Sequence, residues 1–97
     1  MFEIGNVEVD GKSFLALRAQ MPELPPLLLI VGGKGFVMCG YLNLDAAEKI
    51  GAAAAVVSGV NSFEDVLNAE IKAATSKAKA LGLEPGKVVR MVLGILA

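Results

Sequence analysis

Cys39 and Tyr41 are the two side chains best suited to chemistry in this 97-residue chain. A thiolate is a nucleophile, and a phenol with a shifted pKa can act as a general acid or base. The chain has no histidine, so a Ser-His-Asp triad or a Cys-His pair is excluded. Cys39 and Tyr41 are therefore the candidate catalytic residues of a small enzyme with a pocket between subunits. The favoured alternative for Cys39 is a small buried hydrophobic residue in a central strand.

A second group of small and polar residues follows two predicted strands, Phe36–Cys39 and Ala53–Val57. If these strands run parallel, their carboxyl ends lie at the same edge of the sheet, and helix N-termini at that edge favour a small anionic ligand. The alternative is that Asn43 and Ser62 only cap their own helices. The candidate ligand-binding residues at this edge are Gly40, Asn43, Ser58, Asn61 and Ser62.

Spacing and composition exclude several other kinds of site. One cysteine and no histidine cannot supply the four ligands of a structural zinc site, so no metal is expected. Gly32-Gly33-Lys34-Gly35 has the composition of a phosphate-binding loop, but a strand is predicted to follow it instead of a helix, which favours a hairpin turn. Nine basic residues against ten acidic ones, with one tyrosine and no tryptophan, argue against binding to nucleic acid or to an anionic membrane surface.

The sequence has no feature of a secreted or membrane-spanning protein. Met1-Phe2-Glu3 lacks the basic start of a signal peptide. The longest uncharged stretch, residues 50–63, has fourteen residues, whereas a spanning helix needs about 20. A single cysteine cannot close an internal disulfide. These observations predict a cytoplasmic protein.

Strand signals dominate the first part of the chain. Asp10-Gly11 favours a tight turn between strands at Phe2–Val9 and Ser13–Met21. Only one face of the second strand is cleanly apolar, so this hairpin is predicted to be half buried; that face carries Leu15, Leu17, Ala19 and Met21. After a proline-containing loop, Leu27–Val31 and Phe36–Cys39 are apolar throughout and are predicted to form a second hairpin at the centre of the sheet.

Helix signals dominate the remainder. Asn43 and Ser62 are predicted to start two short helices, and the second is expected to break near Asn68. A further helix should end at Gly82, and Lys87–Leu96 is predicted as a last helix. The whole chain, 1–97, is expected to be a single α+β domain: a mostly antiparallel mixed sheet with N-terminal hairpins and helices packed mainly on one face. The strand–helix–strand segment between Phe36 and Val57 is long enough for a single parallel crossover.

Several segments together resemble a known family. They are Gly35-Phe36-Val37-Met38-Cys39-Gly40-Tyr41-Leu42, Gly59-Val60, Phe63-Glu64-Asp65-Val66-Leu67-Asn68-Ala69, Thr75 with Ala78, and Leu81-Gly82-Leu83 followed by Gly86. In this order they resemble the YunC-like family of small bacterial and archaeal domains of unknown function. Val88-Val89-Arg90-Met91 departs from the usual family pattern.

The resemblance implies an α+β fold in which an N-terminal β region, here residues 1–34, serves the assembly of a homo-oligomer, as a tetramer, and residues 35–97 form the family core. It implies no reaction, substrate or cofactor, because none is assigned to the family. An apolar content of 55% is consistent with burial between subunits. The favoured interpretation is a non-catalytic or small-ligand-binding oligomeric module, and the alternative is the small enzyme that uses Cys39 or Tyr41.

Overall fold

Six strands form one mixed sheet in the computed structural model, which describes residues 2–97. The strands lie in the sheet in chain order, and every neighbouring pair is antiparallel except β4 and β5, which are parallel. The predicted α+β fold with one parallel crossover is therefore confirmed. The strands are β1 (Phe2–Val9), β2 (Lys12–Ala19), β3 (Leu27–Val31), β4 (Phe36–Met38), β5 (Ala54–Val56) and β6 (Ala73–Ala74).

Four short helices and a 3₁₀ turn complete the described part of the chain. Residues from α2, α3, α4 and the 3₁₀ turn share one hydrophobic core with the sheet, whereas the buried Ala47 of α1 lies outside that core. The helices thus pack mainly on one face, as predicted. None of them is long and apolar enough to cross a membrane. They are α1 (Leu44–Lys49), α2 (Phe63–Asn68), α3 (Ser76–Leu81), α4 (Val89–Val92) and the 3₁₀ turn Leu93–Leu96.

The N-terminal hairpin turns at Asp10 and Gly11, whose φ angles of 54° and 75° are those of the tight turn that the sequence predicts. Its buried face is not the cleanly apolar one. Phe14 and Ala16 are buried against the helices, whereas Leu15 is 45% exposed. Gly5 of β1 lies on the same side, where an added Cβ would be in ordinary van der Waals contact with the ring of Phe63, at 3.9 Å. The apolar face of β2 consequently points away from the helices.

The turn at Gly32–Gly35 joins β3 to β4, as the hairpin prediction requires. The Gly32 amide donates to the Gly35 carbonyl over 2.8 Å. A Cβ at Gly32 would lie 2.2 Å from the Leu96 carbonyl oxygen, and one at Gly35 would lie 2.2 Å from that of Ala53. These glycines therefore allow close contact between backbones, which is a structural role.

The third helix begins at Ser76, whereas the predicted break near Asn68 would let it start directly after that residue. Helical spacing fits residues 69–75, yet this segment pairs with the open edge of β5: the Lys72 amide donates to the Val56 carbonyl (2.8 Å) and the Thr75 amide to that of Ala54 (2.9 Å). The last helix also starts late, because Val88 forms a bridge with Glu70 before α4. In both places, a backbone partner distant in sequence outweighs the local helical pattern.

Candidate functional site

A pocket of about 340 Å³ opens at the carboxyl ends of the parallel strands β4 and β5. Its other wall is the loop before β3. Because β3 and β4 are antiparallel, the start of β3 and the end of β4 lie at the same edge of the sheet. The pocket is lined by Leu24, Pro25, Pro26, Cys39, Gly40, Tyr41, Ser58, Gly59 and Val60.

Cys39 stands where β4 ends and is 5% exposed. Its amide donates to the Leu28 carbonyl over 3.1 Å, and its Sγ accepts from the Leu28 amide over 3.3 Å. Sγ also lies 3.8 Å from the Pro26 carbonyl oxygen, toward which the thiol donates weakly. The side chain thus extends the pairing of β3 and β4 by one residue, with the thiol in the role of a backbone acceptor.

Tyr41 connects the two walls of the pocket. Its hydroxyl donates to the Pro25 carbonyl over 2.6 Å, and 39% of the residue is exposed. Because one proton is committed to Pro25, the phenol oxygen keeps only its acceptor capacity for other groups. The pairing of Tyr41 with Pro25 therefore holds the proline-containing loop against the end of β4.

The residues predicted for ligand binding separate into two groups. Gly40 and Ser58 line the pocket together with Cys39 and Tyr41, whereas Asn43, Asn61 and Ser62 do not. The side chains of Asn43 and Ser62 accept, each over 3.1 Å, from backbone amides of their own helices, and so act as caps. The Asn61 amide donates to Asp65 and its carbonyl accepts from Arg18, both over 3.0 Å. Its backbone polar groups are thus engaged in structural contacts.

The pocket wall formed by Leu24, Pro25 and Pro26 was missed by reasoning from the sequence. The available signal was the antiparallel pairing of β3 with β4, which requires the loop before β3 to lie beside the residues after β4. No Asp, Glu, Lys or Arg is among the lining residues. Within residues 2–97, no three His, Cys, Asp or Glu side chains come together in a way that could hold a metal ion.

A second candidate site is an apolar sheet surface, here called the outer face, which points away from α2 and α4. Phe2 is 62% exposed, Ile4 65% and Leu15 45%. The ladder registers place further apolar residues beside these three, and the polar positions on the same side of the sheet are Asn6, Glu8 and Ser13, toward the turn. The outer face consists of Phe2, Ile4, Leu15, Leu17, Ala19, Leu27, Leu29, Val31, Phe36 and Met38.

Comparisons with known proteins identify the family. The family model described as "Domain of unknown function (DUF1805)" matches residues 38–96. The chain belongs to the DUF1805 family. The uncharacterized protein YunC of Bacillus subtilis (strain 168) is 24% identical, over 96% of this chain and 95% of that protein. The crystal structure of TA1206, a protein of unknown function from Thermoplasma acidophilum, matches with a TM-score of 0.95 and 37% identity, over 100% of this chain and 94% of that one.

The DUF1805 match begins at Met38 and so contains Cys39, Gly40 and Tyr41 of the pocket, while β1–β3 precede it. The match also contains Thr75, one of the residues by which the sequence resembles the family. Thr75 is 1% exposed, and its hydroxyl caps α3 by accepting from the Ala78 amide over 3.3 Å. This DUF1805 feature therefore has a structural explanation.

Proposed function

We propose that this DUF1805 protein is a non-catalytic module that assembles with further copies of itself through the outer face. The supporting observation is the distribution of apolar and charged side chains between the two faces of the N-terminal hairpin. Ile4 pairs with Leu17 on the side that no helix of the main core covers, while Glu3 and Arg18 point to the helix side. A monomer gains nothing from this arrangement, because apolar side chains gain free energy only when they leave water.

The extent of the outer face suits an interface between subunits. Strands lie about 4.8 Å apart and rise about 3.4 Å per residue, so a surface four strands wide and six residues long covers roughly 400 Å² of the sheet plane. The accessible area is larger, since it follows the relief of the side chains. Contiguous apolar patches above a few hundred Å² are rare on monomers, and the smaller specific interfaces bury about 600 Å² per partner.

A second copy is the partner that fits this surface. In a two-fold contact the same patch serves both subunits, so each apolar face covers the other. Two sheets pack face to face at about 10 Å with their strands within about 30° of each other. Among the outward positions of β1–β4 only Glu8, next to the turn, carries a charge. Almost no charge would therefore be buried.

A second contact would extend this proposed dimer to the tetramer that the family resemblance implies. β1 is an edge strand of eight residues without proline, so one side of its backbone is open to pairing. Pairing of β1 with the same strand of a neighbouring dimer would add a second two-fold axis and give four subunits. This contact uses backbone groups and leaves the outer face free for the first contact.

Paired lysine substitutions test the proposal. Leu15→Lys places a charge within the outer face, between Asn6 and Val31 on the neighbouring strands, whereas Met91→Lys changes a residue of α4 that is 78% exposed. In light scattering coupled to size exclusion, Leu15→Lys should reduce the mass toward the 10.0 kDa protomer, and Met91→Lys should keep the wild-type mass. Unchanged far-ultraviolet circular dichroism would show that both variants fold. A Leu15→Lys protein with the wild-type mass would refute assembly through this face.

A further inference from the structure

The geometry points to the pocket between β4, β5 and the loop before β3 as a binding site for a small, uncharged, largely apolar molecule that carries a carboxamide-like hydrogen-bonding group. Its volume of about 340 Å³ lies in the range of about 300–1,000 Å³ that small-molecule sites occupy. It lies at the carboxyl end of a parallel strand pair, which is where ligands of open α/β sheets bind.

The walls of the pocket are chiefly apolar. Leu24, Pro25, Pro26 and Val60 supply hydrocarbon, and the two prolines restrict the backbone of the wall they form. Leu24 is 59% exposed, so a ligand that covers it would remove apolar surface from water. These contacts favour a ligand with an apolar or aromatic body.

A small number of polar groups accompany these walls. The Tyr41 hydroxyl already donates to Pro25 and can accept a hydrogen bond from a ligand N–H. Ser58 is exposed on the lining, so its hydroxyl can exchange a hydrogen bond with water for one to a ligand carbonyl. A carboxamide offers both an N–H donor and a carbonyl acceptor. The hydrogen-bonding groups on the lining of the pocket therefore match the N–H and carbonyl groups of an amide.

The absence of charge on the lining distinguishes an amide from an anion. No Lys or Arg lines the pocket, so a carboxylate or phosphate would lose water without gaining a cationic partner. The N-termini of α1 and α2 do not replace such a partner, because Asn43 and Ser62 already cap these six-residue helices. An uncharged ligand should bind more tightly than an anion of the same shape.

The pocket site is independent of the proposed assembly, since no outer-face residue lines it. Ligand binding should therefore persist in Leu15→Lys. A Leu15→Lys protein that keeps the wild-type mass and still binds would refute only the assembly proposal, and a wild-type protein that assembles but binds no probe would refute only the pocket proposal.

Benzamide and benzoate are a matched pair of probes, because they share an aromatic ring and differ in charge. In ¹H–¹⁵N correlation spectra, millimolar benzamide should give saturable shifts of the Gly40, Tyr41 and Gly59 amides. Benzoate should bind at least tenfold more weakly, and inorganic phosphate should leave these amides unchanged. The fluorescence of Tyr41 is a second readout, since the chain has one tyrosine and no tryptophan. No saturable response to benzamide, or equal or tighter binding of benzoate or phosphate, would overturn the assignment.

Gly40→Leu adds a bulky side chain to the lining of the pocket. A Cβ at Gly40 meets no atom within 4 Å, and its φ lies outside the left-handed region, so the added side chain should not disturb the fold. Ala80→Leu adds the same bulk at an exposed residue of α3 that is not on the lining. Benzamide affinity should fall at least tenfold in Gly40→Leu and stay unchanged in Ala80→Leu. Unaltered affinity in a folded Gly40→Leu protein would place the ligand elsewhere.

Discussion

Ile4 lies directly opposite Leu17 in the β1–β2 ladder, on the face of the sheet that α2 and α4 leave uncovered. The adjacent pair, Glu3 and Arg18, points the other way and forms an ion pair of 3.2 Å at the rim of the helix layer. Alternation places these two pairs on opposite faces of the sheet. The apolar pair lies on the outer face, where Ile4 is 65% exposed, and the proposed contact between copies explains this orientation.

Gly35→Ala should destabilise the protein because of the close contact between Gly35 and Ala53. The new Cβ would lie 2.2 Å from the Ala53 carbonyl oxygen, which belongs to the backbone and cannot rotate away. We expect a loss of about 3 kcal/mol in the free energy of unfolding, as for severe overpacking. Gly40→Ala is the control and should change it by less than about 0.5 kcal/mol. Urea denaturation compares the two, and equal midpoints would contradict the close approach.

Thr75→Val should be costly although it preserves shape. The buried hydroxyl donates to the Ala52 carbonyl over 2.7 Å and accepts from the amides of Ala54 (3.1 Å) and Ala78 (3.3 Å). Valine leaves these buried groups without a partner, at about 2–3 kcal/mol. Thr75→Ser keeps the hydroxyl and should lose only about 1 kcal/mol for the methyl group. A serine variant less stable than the valine variant in thermal unfolding would show that packing dominates at this position.

Cys39 should react slowly with iodoacetamide in the native protein. Cys39 is 5% exposed and its thiol accepts from the Leu28 amide, and only an accessible thiolate attacks an alkylating reagent. Mass spectrometry should show labelling that becomes fast and complete only in denaturant. Rapid stoichiometric labelling of the folded protein would favour the enzyme alternative.

Cys39→Ala, which removes the acceptor for the Leu28 amide, should be less stable than Cys39→Ser by about 1 kcal/mol in urea unfolding.

Glu48→Gln should lower stability in a pH-dependent way. The backbone amide of Ser76 donates to Glu48 Oε1 over 2.8 Å and, with the Ser76 side chain and Lys79, lowers the pKa of Glu48 from its ordinary value. A lowered pKa in the folded state stabilises the protein above the unfolded-state value, and this contribution is lost as pH falls through the folded-state pKa. The difference between wild type and Glu48→Gln in urea unfolding should thus be present at pH 7 and shrink in acid. A difference that stays constant with pH would contradict a role for the Glu48 charge.

Much of the architecture could be predicted because local signals agree with tertiary structure. Asp10-Gly11 specifies the first hairpin, and the unbroken apolar runs at Leu27–Val31 and Phe36–Cys39 specify the central strands of the sheet. Ser62 and Asn68 likewise mark both ends of α2. At these positions turn chemistry, capping and burial all favour the same element.

The remaining features depend on contacts that local patterns do not encode. Ile71 and Ala74 fit a helical stripe and a strand equally well, and the free edge of β5 decides between them. Alternation in β2 defines two faces but does not say which one meets the helices. The Pro25 and Pro26 wall of the pocket likewise depends on the pairing of β3 with β4.

Sedimentation equilibrium across a dilution series into the low micromolar range tests the central claim most directly, because it measures mass in solution without a reference shape. If further copies cover the outer face, the fitted mass should be two or four times the 10.0 kDa of the protomer and should fall only on strong dilution. A mass of one protomer at every concentration would contradict assembly and leave Ile4 and Leu15 exposed to water with no partner.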